Sequence, residues 1–454
     1  MVKIFNVNGA CRPEKHYMVN LESRLEAIKL KVDLGEYFTI NKARQYGKTT
    51  ILRALADYLK ENYDVISLDF QKMSASDFTT ESAFVNGLAR EVGRAVRRRV
   101  EVPNQPREKL KELADDKKND LRMAEIFECF SEWCGQSKRP VVLLIDEVDT
   151  AANNQVFLDF LAQLRAYYLD SDVTPTFQSV ILAGVYDIRN MKRKIRPEDD
   201  HKQNSPWNIA ADFEVEMSFS AAEIAGMLNQ YEMDFRTGMD IEEISQLIYD
   251  YTSGYPFLVS RLCKLMDEKL IYEESFKDKK AVWTRDGVLD AVKRLLSEKN
   301  TLFDSLIGQL NAYPELKDMI YLLMFQGQVI AYNADDQAAD MLLMFGFIKV
   351  EHETVQIANR IFETRLYNYF LTLPKVQNGD MYRLALRDKN QFIQNGQLDM
   401  ELILAKFAEH FDDVYGDRKD KFVEEDGRRY FMLYLKPIIN GTGGEPDIIW
   451  NHTN

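Results

Sequence analysis

The stretch NKARQYGKTTIL, from Asn41 to Leu52, has the residue types of a phosphate-binding loop with one part replaced. Such a loop reads Gly, four residues, then Gly-Lys-Thr/Ser. Gly47, Lys48 and Thr49 stand where that pattern requires them, and Lys42 occupies the first glycine's position. In such a loop successive backbone N–H groups curl around a β-phosphate while the helix N-terminus adds partial positive charge. Arg44, Gln45, Tyr46, Gly47, Lys48, Thr49 and Thr50 are therefore the expected nucleotide-binding residues. Lys48 can reach β- and γ-phosphate oxygens, and the Thr49 hydroxyl can bind Mg²⁺. Gly47 leaves room where a Cβ would collide. Lys42 fits most backbone conformations, a positive φ only with difficulty.

A second group stands at the end of the apolar run RPVVLLIDEVDT, from Arg139 to Thr150. Asp146 is the expected metal-binding carboxylate, and Glu147 the expected catalytic base that polarises an attacking water. Lys48 joins Glu147 as a catalytic candidate. Two carboxylates at a strand end are by themselves common in solvated loops. Gly47-Lys48-Thr49 on a neighbouring strand makes them specific.

These residues need a scaffold that brings strand ends together. EYFTIN (Glu36 to Asn41), DVISLDF (Asp64 to Phe70), the Arg139 to Thr150 run, FQSVILAGV (Phe177 to Val185) and DFEVEMS (Asp212 to Ser218) read as strands. Helical patterns separate them, including TTILRALADYLKENY, which puts Ile51, Leu52, Leu55 and Leu59 on one face. Alternating strands and helices predict a doubly wound α/β domain with a parallel sheet, over about residues 15 to 220.

From Ser220 to about Asn300 four short helices are expected, with Gly254 closing one and Pro256 opening the next. Residues 301 to 373 read helix, helix, helix, β-ribbon, helix, a winged-helix-like order. After Pro374, GQLDMELILAKFAEHF reads as a helix and RRYFMLYLKPII as a strand. The expected domains are 1–220, 221–300, 301–373 and 374–454.

The chain has 454 residues, 46% hydrophobic and 29% charged, as in an ordinary globular protein of several domains. A formal charge of −14 argues against broad attraction to nucleic acid. RNMKRKIR, from Arg189 to Arg196, carries five positive charges but reads by default as a solvated loop, as do Arg97, Arg98 and Arg99. No signal peptide and no membrane-spanning run is read, so the expected location is the cytoplasm. The four cysteines, Cys11, Cys129, Cys134 and Cys263, lack disulfide-framework or metal spacing. AGVYDIRN follows the Phe177 to Val185 strand, where Asp187 or Arg189 could sense a γ-phosphate.

The segments KHYMV, YFTINKARQYGKTT, LLIDEVD, ILAGVYDIRN, TSGYPFLVSRLC and YFMLYLKPIINGTG together resemble bacterial AAA-like P-loop ATPases of the STAND-related group. These commonly carry a C-terminal nuclease-like domain of the PD-(D/E)XK type. The resemblance implies that the loop without its first glycine is a family variant, that ATP and Mg²⁺ bind there, and that Asp146 and Glu147 take the metal and water roles. It implies that Gly254-Tyr255-Pro256 matches an element whose proline packs a helical lid against the nucleotide. The chain would act as a nucleotide-dependent switch.

The tail departs from that pattern: GEPDIIWNHTN supplies Pro446 and Asp447 but no Glu-x-Lys after them, so no nuclease activity is expected. Two alternatives stand beside the switch. One is a DNA-interaction protein working through the winged helix, the other a folded but inert remnant. A protein partner, self-association and DNA contact are left open by the sequence.

Overall fold

The computed structural model describes residues 3–97, 100–116, 120–185, 207–325, 329–373, 380–394 and 397–415, with Tyr430, Phe431, Tyr434, Leu435 and Ile438. It divides into two compact units, Met1–Glu298 with Met344–Gly346, and Lys299–Leu343 with Phe347–Asn454.

Helix α1 (Glu22–Asp33), strand β1 (Phe38–Asn41), helix α2 (Lys48–Leu59) and strand β2 (Asp64–Asp69) open the first unit. Helices α3 (Glu81–Val96), α4 (Asn104–Asp115) and α5 (Met123–Gln136) precede strand β3 (Val141–Asp146). Helix α6 (Gln155–Leu169) and strand β4 (Ser179–Gly184) complete the sheet. The strands pair in parallel in the order β1-β4-β3-β2. Every residue of β3 and β4 is buried, which is why both read as unbroken apolar runs: each carries helices on both faces.

The pleat sorts their side chains into two cores. Val142, Leu144, Ile181 and Ala183 pack with Ile28 of α1 and Ile51, Leu52 and Leu55 of α2. Leu143, Ile145, Val180 and Leu182 pack with Phe84, Phe127 and Phe160 from α3, α5 and α6. Burying a large apolar side chain contributes about 1.5–3 kcal/mol each, so α2 is fixed to the sheet by its apolar stripe rather than by its loop.

One expected strand does not form. Residues 212–218 make no ladder, and a single parallel bridge joins Ala211 to Phe38. The alternation of DFEVEMS is nonetheless real. Phe213 stacks on Phe38 at 5.8 Å, Val215 packs on the same core, and Met217 is buried. The pattern encodes a one-sided extended run along β1; hydrogen-bond pairing, which periodicity does not specify, stops after one residue.

Four main helices follow, Ala221–Phe235, Ile241–Thr252, Pro256–Glu268 and Arg285–Ser297. Ser220 caps the first through a reciprocal box with Glu223. Buried Arg24 of α1 reaches this junction, donating to the Glu216 carbonyl at 2.8 Å, the Ser218 carbonyl at 2.7 Å and both Glu223 oxygens at 2.5 and 3.0 Å. Gly254 (φ +70°) lies against Phe219, whose N–H donates to its carbonyl at 2.8 Å. A Cβ there would fall 1.9 Å from the Phe219 oxygen, so only glycine fits.

In the second unit Thr301–Ala312, Pro314–Phe325 and Gln337–Met344 are helices, followed by an antiparallel hairpin of β5 (Ile348–Glu351) and β6 (Thr354–Ile357) and the helix Arg360–Leu371. His352 and Glu353, both at positive φ, make the two-residue turn whose twist suits a hairpin. Beyond it lie the helices Asp380–Asp388 and Met400–Tyr415.

The strand expected over RRYFMLYLKPII is corrected: Tyr430, Phe431, Tyr434, Leu435 and Ile438 are helical. Tyr430, Tyr434 and Ile438 recur at four-residue spacing, and Phe431 and Tyr434 close on Phe407 at 5.0 and 5.8 Å. Aromatic content suggested a strand; packing of a helical face against Met400–Tyr415 decided otherwise. Among the described residues no helix is long and apolar enough to cross a membrane.

Candidate nucleotide site

The loop between β1 and α2 keeps sheet geometry for one residue past the strand, the Lys42 N–H donating to the Gly184 carbonyl at 3.3 Å. Lys42 is not left-handed. The positive φ values fall at Gln45 (+57°) and at Gly47 (+85°), the N-cap of α2. The absent first glycine therefore costs this loop no backbone strain. The glycine that the geometry needs is Gly47.

Lys48 is buried, its Nζ donating to the Lys42 carbonyl at 2.7 Å and the Ala43 carbonyl at 3.0 Å. Burial pulls its pKa below the usual lysine value, and the carboxylates of Asp149, Glu147 and Asp146 oppose that. Asp146 is buried at the end of β3 and accepts a hydrogen bond from the Glu147 N–H at 3.0 Å, with the Thr49 hydroxyl near enough to favour its charged form. Burial, with Asp69 beside it, raises its carboxyl above the usual range against those bonds and Lys48. Glu147 sits at φ 54°, ψ 40°, a left-handed conformation rare for a non-glycine residue. Burial first, then Asp146, raises its pKa, with Lys48 opposing.

The strands that lead to Thr49 and Asp146 are not neighbours as the sequence suggested, since β4 lies between β1 and β3. The two side chains approach because α2, which begins at Lys48, packs across β2, β3 and β4. That end is narrow by necessity: a Cβ on Gly184 would come within 2.8 Å of Asp149 Oδ1 and Val148. Asp149 Oδ2 accepts the Val185 N–H at 2.7 Å, locking the ends of β3 and β4 together.

Other expected residues take different positions. The exposed Arg44 offers its backbone carbonyl to the Tyr255 hydroxyl. Tyr46 pairs its hydroxyl with Ser218 Oγ at 2.7 Å and packs edge-on against Tyr255 at 4.6 Å. The Thr50 hydroxyl accepts the Cys11 N–H at 3.1 Å, so the N-terminal segment lies against the start of α2. Pro256 is buried in the first turn of its helix. Asp187, Arg189 and the rest of the Arg189 to Arg196 stretch lie outside the described residues, as do Arg98, Arg99, Pro446 and Asp447.

Asp69, Asp149 and Cys11 were given no site role by sequence reasoning, and Tyr255 entered only as the middle of the Gly254-Tyr255-Pro256 element. Asp69 ends β2 opposite Asp146 and could have been found as a third acid at a strand end. The others are set by contacts between segments far apart in sequence.

The residues present fit a magnesium nucleotide. Among the described residues no group of three or more His, Cys, Asp or Glu could hold a metal alone. One hydroxyl and one carboxylate suit Mg²⁺, which takes its remaining oxygens from phosphates and water. The Asn41 side-chain oxygen, one residue before the loop, is buried with no hydrogen-bond partner, and a polar ligand or water would satisfy it.

Residues 15–371 match the family described as an AAA-like domain. A Walker-type ATPase of Pyrococcus abyssi is similar in fold, with a TM-score of 0.51 at 17% identity over 80% of this chain and 99% of that one. The ORC2 protein of Aeropyrum pernix, solved in ADPNP–ADP complexes, gives 0.40 at 10% identity over 81% and 98%. Cdc6p of Pyrobaculum aerophilum gives 0.39 at 12% over 81% and 98%. No curated protein matches the chain.

Proposed function

The chain belongs to the AAA-like domain family, and on that premise we propose that it binds ATP with Mg²⁺ at residues 44–50 and hydrolyses it as a nucleotide-dependent switch. The observation that carries this reading is the convergence of Lys48 and Thr49, at the start of α2, with Asp146 and Glu147, at the end of β3, across the intervening β4. Backbone N–H groups around Gly47 would enclose the β-phosphate, and Lys48 would exchange its two loop carbonyls for phosphate oxygens. Thr49 and Asp146 would hold Mg²⁺, which when bound neutralises charge on the β- and γ-phosphate oxygens. Glu147 would take a proton from the water that attacks the γ-phosphorus as the bond to the β-phosphate oxygen breaks, giving ADP and phosphate.

The helices of 221–300 are read as the lid, with Pro256 packing toward the nucleotide. The helix order and hairpin of residues 301–371 support a winged-helix-like module, and the divisions at 220, 300 and 373 follow from these assignments. The likeness to the STAND-related group and a nuclease-like, catalytically silent tail complete the proposal. That hairpin module also gives the second reading, DNA contact with a regulatory ATPase; a gel shift that fades steeply with salt would favour it.

Equilibrium titration with fluorescent ATP, competed by unlabelled ATP and GTP, tests the main reading. Lys48→Ala should abolish binding, while Glu147→Gln should bind like the parent and lose turnover. Equal Mg·ATP binding by the parent and Lys48→Ala overturns it.

A further inference from the structure

The loop's one left-handed non-glycine residue is Gln45, at φ +57°, a conformation that an L-residue adopts only against steric resistance. It persists only where neighbours over-determine it. One such neighbour is Tyr255, 3% exposed, whose hydroxyl donates to the carbonyl of Arg44. That carbonyl belongs to the same peptide plane as the Gln45 N–H. In a trans peptide the two groups point in opposite directions, and no described peptide bond is cis. Holding the carbonyl against Tyr255 therefore turns the Gln45 N–H away from the helical bundle.

Tyr255 is itself firmly placed. Its N–H donates to the Thr252 carbonyl at 3.0 Å, and the preceding Gly254 lies against Phe219. Its ring meets Tyr46 edge-on, and Tyr46 is tied to Ser218 at 2.7 Å. Burial, with Tyr46 beside it, raises the Tyr255 pKa well above the usual value, so its hydroxyl stays a donor.

Resting on the nucleotide-binding reading above, we propose that Tyr255 is a positioning residue for the phosphate cradle: it fixes the Arg44–Gln45 peptide with its N–H aimed at the β-phosphate. Docking of the segment 252–256 is then a condition for full nucleotide affinity. The consequence is selective. A ligand with a β-phosphate depends on Tyr255, and one without it does not.

The test is Tyr255→Phe, which keeps the ring on Tyr46 and removes only the hydroxyl. Competition against fluorescent ADP should show ADP affinity about three- to tenfold weaker, the effect of one hydrogen bond, with AMP affinity unchanged. ADP and AMP weakened equally, or neither weakened, overturns the proposal. A parent that binds no ADP overturns the nucleotide reading first and this one with it. Should the variant fail to fold, hydrogen exchange of the parent decides: the Gln45 amide should be protected by ADP and not by AMP, and equal protection overturns the assignment.

Discussion

The Thr49 hydroxyl lies close enough to the Asp146 carboxylate to favour its charged form, although strand β4 separates the two strands that lead to them. The approach is possible because α2 packs across β4 toward β3; Lys42 at the loop's start bonds the Gly184 carbonyl, and a side chain at Gly184 itself would strike Asp149 and Val148.

This pair sets a metal-dependent expectation. Thr49→Val should leave affinity for ATP in EDTA near the parent's while removing most of the gain that Mg²⁺ gives. A hydrogen bond to a charged group is worth about 1.5–3 kcal/mol, so the gain should shrink by at least about tenfold. Titrations with and without Mg²⁺ measure it, and an undiminished gain would remove Thr49 from the metal site.

Gly254→Ala places a Cβ 1.9 Å from the Phe219 oxygen at a φ of +70°. The conformation alone costs about 1–3 kcal/mol, and backbone must also move. Thermal melting should show a lower Tm, with larger loss than Gly47→Ala, whose Cβ would meet nothing within 4 Å.

Arg24→Ala should destabilise the first unit by about 1–3 kcal/mol, because it removes the bidentate partner of the partly exposed Glu223 and leaves the Glu216 and Ser218 carbonyls without their donor. Denaturant unfolding of the parent and the variant measures the difference.

The same pair gives a pH dependence with a definite sign. Burial opposes the Glu223 charge, but hydrogen bonds from Arg24 and Ser220 outweigh it and hold the carboxyl below its ordinary 4.5. A folded-state pKa below the unfolded one gives stability that is present above pH 4.5 and lost as pH falls through the folded value. Stability measured from pH 6 downward should fall less in Arg24→Ala than in the parent. Parallel curves would mean that Glu223 contributes nothing.

Much of this protein was written in local pattern. The apolar runs of β3 and β4, the stripe of Ile51, Leu52 and Leu55, and the spacing of Gly47, Lys48 and Thr49 each declare their role within a dozen residues, because burial on two faces, burial on one face and phosphate geometry leave distinct periods in a chain. The placing of Asp146 and Glu147 at a strand end was legible for the same reason, Asp146 closing the unbroken run of β3 and Glu147 following it.

Other features had no local signature. The alternation of 212–218 named an inward face without specifying a hydrogen-bond partner, and the aromatic run at 430–438 satisfied strand propensity until packing on Phe407 gave it a helical face. The order β1-β4-β3-β2, the approach of Asp149 to Gly184 and the grip of Tyr255 on Arg44 join residues up to 211 positions apart. Sequence thus determined which segments must be buried and which residues could carry phosphate chemistry, since those depend on neighbours along the chain. The folded structure alone decided which strand ends meet and which distant hydroxyl orients the loop, because such contacts exist only once the sheet and helices have closed around a common core.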